Sequence, residues 1–323
     1  MIYYLNMDKK IQDIITKLNK VANKDIAFAG QKKVVEGQST GVEMLDFDIG
    51  CNGYPKGRIT EIYGIQSSAK TSLALWGIAS AQREGKTCVF VDAEYALDLQ
   101  LASSLGVDVE NLIVLYPDNG EEAFSVIENL LRDKTADLIV VDSVPSLVPT
   151  PELEAEVNKP TMGGQARLIA AGLRRLVPLV SKQNAVLILI NQVRANIMGG
   201  IYDPYVTPGG YALKFYTSLR IELKNKGKLV KGEETVGQQV IYRMKKNKVG
   251  MNNDSGLINY VYNDGFYAEL NLLAMGVKKG VITRGGNTYS WGEQKLGVSK
   301  AKAEEFLETN PEIAEQIRKM IDA

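Results

Sequence analysis

Arg58-Ile59-Thr60-Glu61-Ile62-Tyr63-Gly64-Ile65-Gln66-Ser67-Ser68-Ala69-Lys70-Thr71 reads as a strand, a loop of small residues and a helix start. The helix continues through Ser72, Leu73, Ala74, Leu75, Trp76, Ile78 and Ala79. Gly64, Lys70 and Thr71 fit the phosphate-binding pattern G-x-x-x-x-G-K-[ST], in which backbone N–H groups and a helix N-terminus cradle phosphate oxygens. On this reading Gly64, Ile65, Gln66, Ser67, Ser68 and Ala69 form the cradle, with Ser72 just inside the helix. Lys70 reaches the β/γ-phosphates of a nucleotide and Thr71 ligates Mg²⁺. Ala69 stands where the pattern has glycine. A Cβ there costs roughly 1 kcal/mol or more if the position needs a positive φ.

Outward from this loop, strand and helix patterns alternate: strand 59–63, helix 70–83, strand 87–92, helix 98–105, strand 112–115, helix 120–132, strand 137–142, helix 164–183 and strand 185–190. Leu138-Ile139-Val140-Val141 is a continuous apolar run, as expected of a parallel strand covered on both faces. The pattern predicts a doubly wound, mostly parallel α/β sheet. Segments 218–224, 238–246 and 256–262 alternate apolar and polar residues and predict antiparallel strands that extend it. Before this core, Ile11, Ile14, Ile15, Leu18 and Val21 make one apolar stripe on a helix over 8–22, followed by a glycine-containing linker to Gly41. After it, a helix over 266–275, a glycine-rich hairpin around Arg284-Gly285-Gly286 and two short helices, capped by Ser299 and by Asn310-Pro311, predict a small α+β domain. The expected division is 1–37, 38–265 and 266–323.

With 323 residues, 45% of them hydrophobic, the chain can bury a full α/β core and still carry appendages. Its 38 acidic and 38 basic residues cancel, so any affinity for nucleic acid has to come from local patches. Two cysteines far apart, Cys51 and Cys88, point to a reducing compartment, and no run approaches a membrane span or a signal core, so a cytoplasmic protein is expected. There is no histidine, which leaves proton chemistry to a carboxylate.

Two carboxylates follow apolar strands at the edge where ligands of such sheets bind. Asp142, after Leu138-Ile139-Val140-Val141, suits an aspartate that orients the water shell of Mg²⁺. Glu94, just after Cys88-Val89-Phe90-Val91-Asp92, is the candidate for orienting and deprotonating an attacking water. The glycine-rich stretch from Val193 to Gly210 is long for a loop in a compact domain, which marks it as functional.

Six segments together resemble the bacterial RecA recombinase family: Gly57 to Gly64, Val91 to Asp98, Val140 to Val144, Ile190 to Arg194, Gly209 to Tyr216 and Lys246 to Lys248. They come in the family's order and at closely similar spacing, so the resemblance covers nearly the whole chain. It implies a DNA-dependent ATPase that uses ATP and Mg²⁺, forms a helical filament on single-stranded DNA and pairs it with homologous double-stranded DNA. The same resemblance implies roles in recombination and repair, an SOS-type response to DNA damage, and a LexA-like repressor as a further partner. It assigns adenine contact to Asp98, γ-phosphate sensing to Gln192, and contact with a neighbouring subunit's ATP to Lys246 and Lys248. For DNA it implies a first loop with Met162, Gly163 and Gly164, a second with Arg194, Asn196, Ile197, Met198, Gly199, Gly200, Ile201 and Tyr202, and phosphate contacts at Arg167, Arg174, Gly209 and Gly210.

Three positions depart from the family's pattern. Ala69 replaces its glycine, which puts ATP affinity or turnover at issue. Ile201 takes an aromatic position, and an apolar wedge can part base steps without stacking on them. The sequence closes at Ala323 without the acidic tail, so that tail's role is not carried over. Two other readings share the nucleotide site: a closed-ring helicase motor, and an ATP-gated DNA-coating protein with little hydrolysis.

Overall fold

Four segments buried on both faces lie side by side, with a shorter, partly exposed fifth at the sheet edge, and burial of both faces favours parallel pairing. The computed structural model describes residues 9–22, 34–156, 163–195, 205–250, 255–266 and 268–322. Its strands are β1 (Arg58–Gly64), β2 (Cys88–Asp92), β3 (Ile113–Leu115), β4 (Leu138–Asp142), β5 (Val186–Gln192), β6 (Leu219–Lys231), β7 (Glu234–Asn247), β8 (Ser255–Val261) and β9 (Gly265–Phe266). They form one sheet in the order β9-β8-β7-β6-β1-β5-β4-β2-β3, parallel from β6 to β3 and antiparallel from β6 to β9. A second sheet of β10 (Thr283–Gly285), β11 (Thr288–Trp291) and β12 (Gln294–Gly297) is antiparallel.

The helices used below are α1 (Lys9–Ala22), α2 (Glu43–Ile49), α3 (Lys70–Arg83), α4 (Leu99–Ser104), α5 (Gly120–Asp133), α6 (Gly164–Gln183), α7 (Gly210–Tyr216), α8 (Ala268–Lys278), α9 (Lys300–Thr309) and α10 (Pro311–Asp322). Residues 1–35 and 36–323 are two compact units. In the first, Ile11, Ile14 and Leu18 are about half exposed along one side of α1. In the second, alternate residues of β4 enter two different cores. Leu138 and Val140 pack with Leu73, Leu75 and Ile78 of α3, while Ile139 and Val141 pack with Ile127 and Leu131 of α5 and Leu173 and Leu176 of α6. The apolar run is thus explained by two buried faces.

The core on the α3 side continues without a break into Leu272, Tyr289, Leu307 and Ile317. Buried Asp48 of α2 accepts from Tyr242 Oη at 2.6 Å and pairs with Lys278, an ionic link between α2 and α8. The antiparallel strands are longer than their periodicity suggests, since β6 and β7 run on as an exposed ribbon whose polar residues carry no alternating signal. Helix α2 and the short pairing of Gly37–Gln38 with Tyr54–Pro55 lie in a region that reads as a linker and the approach to the core. Among the described residues no helix is long and apolar enough to cross a membrane.

Candidate nucleotide site and nucleic-acid interface

The register of the parallel strands assembles the site. Gly64 lies opposite Gln192, and Asp92 opposite Asp142, so the ends of β1, β5, β4 and β2 meet along one edge. A side chain at Gly64 would strike the Leu223 carbonyl, with its Cβ only 2.2 Å away, so glycine is required where the loop leaves the sheet. Within the loop, Ser68 Oγ and Lys70 Nζ each donate to the Ile65 carbonyl at 2.8 Å. Ser72, one residue into the helix after Thr71, donates to Tyr260 Oη at 3.1 Å, anchoring the helix start to β8.

Ala69 has φ 63° and ψ 28°, a left-handed conformation that favours glycine. The cost sits in the folded backbone itself. Ala69→Gly is therefore expected to raise unfolding stability by about 1 kcal/mol in a denaturant titration. An unchanged or lowered midpoint would show that the Cβ is accommodated there.

Thr71 Oγ1 donates to Asp142 Oδ2 at 2.6 Å. Burial pushes the Asp142 carboxyl up to about 6, Thr71 and Lys70 pulling it down and Glu94 and Asp92 adding to the rise. Burial likewise lowers Lys70, against the opposing pull of Asp142 and Glu94. Thr71 and Asp142 offer only hard oxygens, a donor set that fits Mg²⁺. Among the described residues no cluster of three or more carboxylates and cysteines could hold a metal alone.

Glu94 is the meeting point. Its Oε1 accepts from Gln192 Nε2 at 2.9 Å and also from the Ser143 hydroxyl. Asp92 shapes the loop that carries it, accepting from the backbone N–H of Ala96 at 3.2 Å and Leu97 at 2.9 Å. Ser143 lies inside the family-like segment Val140 to Val144, but nothing in its spacing gives it a role. Asp98 caps α4 through Oδ1, which accepts from Gln100 and Leu101 at 2.8 and 3.0 Å. The helix expected from residue 98 thus begins one residue later. Cys51 and Cys88 are free thiols pushed up by burial to about 11 and about 12, so neither is a nucleophile at neutral pH.

Lys246 and Lys248 are not brought to this edge. Lys246 lies opposite Arg220, itself level with Glu61, and the Lys248 N–H donates to Ser218, whose own N–H donates to Ile59. That places Lys248 toward the start of β1, away from Gly64. Lys246 Nζ instead donates to the carbonyls of Lys214 and Phe215 at 2.6 and 3.2 Å, at the end of α7.

Of the residues expected at nucleic acid, Gly163 and Gly164 open α6, and Arg167 and Arg174 lie exposed along it two turns apart. Gly209 caps α7 in a left-handed conformation, φ 95°, and Gly210 begins it. Arg194 begins a short antiparallel pairing, Arg194–Ala195 with Tyr205–Val206, which closes the second loop at its base. Met162, Asn196, Ile197, Met198, Gly199, Gly200, Ile201 and Tyr202 lie outside the described residues.

Family comparison decides the relationship. The RecA N-terminal domain matches residues 7–267 and the RecA C-terminal domain residues 270–323. The chain belongs to the RecA family. It is 42% identical over 287 residues to Protein RecA of Aquifex aeolicus, covering 89% of this chain and 83% of that protein. Protein RecA of Wolinella succinogenes is 41% identical over 320 residues, covering 98% and 91%. The crystal structure of the RadB recombinase matches with a TM-score of 0.53 at 22% identity, over 71% of this chain and 98% of that one, a likeness of fold. The RecA fold expected from the motifs is the fold found, and the chain is a RecA recombinase by descent.

Proposed function

We propose that this RecA-family chain binds ATP with Mg²⁺ at residues 64–72, hydrolyses it in response to DNA, and assembles as a helical filament on single-stranded DNA that pairs with homologous duplex. The observation that carries this reading is the convergence on Glu94, which joins the strand edge bearing Asp142 to Gln192, at the root of the second loop. Lys70 neutralises charge on the outer phosphates. Glu94, held by two donors, orients water for in-line attack and accepts its proton. Mg²⁺, when bound through Thr71 and Asp142, supplies charge neutralisation between the phosphates. Gln192 reports the γ-phosphate to the loop beginning at Val193, and Lys246 and Lys248 serve the ATP of the next subunit. Asp98, with Oδ2 outside its capping bonds, contacts adenine.

Arg167 and Arg174, with Arg194, Gly209 and Gly210, hold DNA phosphates, which fixes position without reading sequence. Asn196 to Tyr202 and Met162 to Gly164 part the bases. The exposed stripe on α1 packs on a neighbouring subunit. A DNA partner and two free thiols support work in a reducing cytoplasm. On family grounds alone, the filament is also where a LexA-like repressor docks in an SOS response.

Phosphate release with and without single-stranded DNA, together with electron microscopy in a non-hydrolysable ATP analogue, tests this. Stimulated release and open helical filaments are expected. Closed rings would favour a helicase motor, and filaments without turnover would leave an ATP-gated coating protein.

A further inference from the structure

Glu61 is a carboxylate in the middle of β1, fully buried, and the chemistry above does not use it. A buried carboxylate is costly unless both oxygens are paired, and here they are. Oε1 accepts from Asn191 Nδ2 at 2.9 Å, and Oε2 is paired with Arg220, whose guanidinium also lies over the Tyr63 ring. Asn191 is itself fully buried and forks: Nδ2 also donates to the Pro208 carbonyl at 3.0 Å, while Oδ1 accepts from the Gln192 N–H at 2.9 Å. Arg220 reaches Thr207 Oγ1 at 3.4 Å.

These contacts share one geometry. The strand that delivers the phosphate loop is tied, through a single carboxylate, to the residue before Gln192 and to Thr207 and Pro208, where the chain returns before α7. Gln192 meanwhile donates to Glu94. A shift of the Gln192 backbone would therefore disturb Asn191 and its hold on Pro208, and a well-packed buried network resists gradual deformation.

We propose that the Glu61–Asn191–Arg220 cluster is the positioning joint that couples nucleotide occupancy to single-stranded DNA binding, by holding both roots of the second loop to β1. The inference rests on the proposed nucleotide and DNA sites. Linkage requires the coupling to be reciprocal: nucleotide raises DNA affinity by the factor by which DNA raises nucleotide affinity.

The test is fluorescence anisotropy of a labelled dT oligonucleotide on the full chain, with and without a non-hydrolysable ATP analogue, and titration of the analogue alone. Asn191→Leu removes the fork while leaving the Glu61–Arg220 pair intact. It is expected to keep each separate affinity within about twofold and to lower the enhancement factor at least about fivefold. Arg220→Lys keeps Glu61 neutralised but shortens the reach to Thr207, and is expected to lower the enhancement at least about twofold. If Asn191→Leu does not fold, Arg220→Lys decides alone. An unchanged enhancement overturns the inference, as does a loss of both separate affinities in step with thermal stability, the mark of a merely structural role. A native chain that binds neither ligand sinks the proposed function and this inference together. One that binds both, with enhancement unaltered in the variants, sinks the inference alone.

Discussion

Glu94→Gln is expected to bind ATP as the native chain does and to release phosphate at least ~100-fold more slowly, with and without DNA. The substitution is nearly isosteric, and its amide oxygen can still accept from Ser143 and Gln192, the two donors that hold the native side chain. What it removes is the capacity to take a proton from water. The chain has no histidine to stand in, and the other carboxylates at this edge are committed. Asp92 holds its own loop through Ala96 and Leu97, and Asp142 accepts from Thr71. Single-turnover phosphate release, with nucleotide affinity measured separately, checks the expectation. Turnover within a few-fold of native would move the base elsewhere.

Much of this edge was legible in the sequence for a physical reason. Parallel strands covered on both faces are mostly apolar, so a polar residue that closes a continuous apolar run marks the strand's exit, and exits face the ligand crevice. Asp142 and Asp92 mark such exits, Glu94 follows two residues after the second as the carboxylate left for proton chemistry in a chain without histidine, and Lys70 and Thr71 follow from the spacing that a phosphate cradle imposes. The motif also located the strained position, since a pattern that asks for glycine at Ala69 is asking for a left-handed residue. What spacing could not supply was contact between residues distant in the chain. Ser143 and Asn191 each sit beside a motif residue and carry no periodic signal. Glu94 comes near Ser143 only when β2 and β4 are laid side by side, and Pro208 comes near Asn191 only where the chain returns before α7. Helix α2 is only two turns long, too short for an apolar period to declare itself. The far extension of β6 and β7 is solvated on both faces, so nothing in its residues had to alternate.

Lys70→Ala and Lys248→Ala are each expected to be inactive alone, at least ~100-fold below the native chain, and to recover activity when mixed. The strand register is the reason. Lys248 is tied to Ser218, level with the first residues of β1, whereas Lys70 follows the loop that leaves β1 at its other end. A lysine so placed can serve phosphates only if they belong to another subunit. In a head-to-tail assembly each interface joins the phosphate loop of one chain to the lysine of the next. Random mixing in equal amounts then gives roughly a quarter of interfaces an intact loop and an intact lysine, so recovery toward a quarter of native DNA-stimulated turnover is expected. Mixtures prepared at varied ratios should follow the product of the two fractions, with a maximum at equal amounts. A mixture that stays inactive, although light scattering shows the two variants co-assembling on single-stranded DNA, would mean that each site is completed within its own chain. Lys246, bound to the end of α7, would then be a helix-capping residue with no part in turnover.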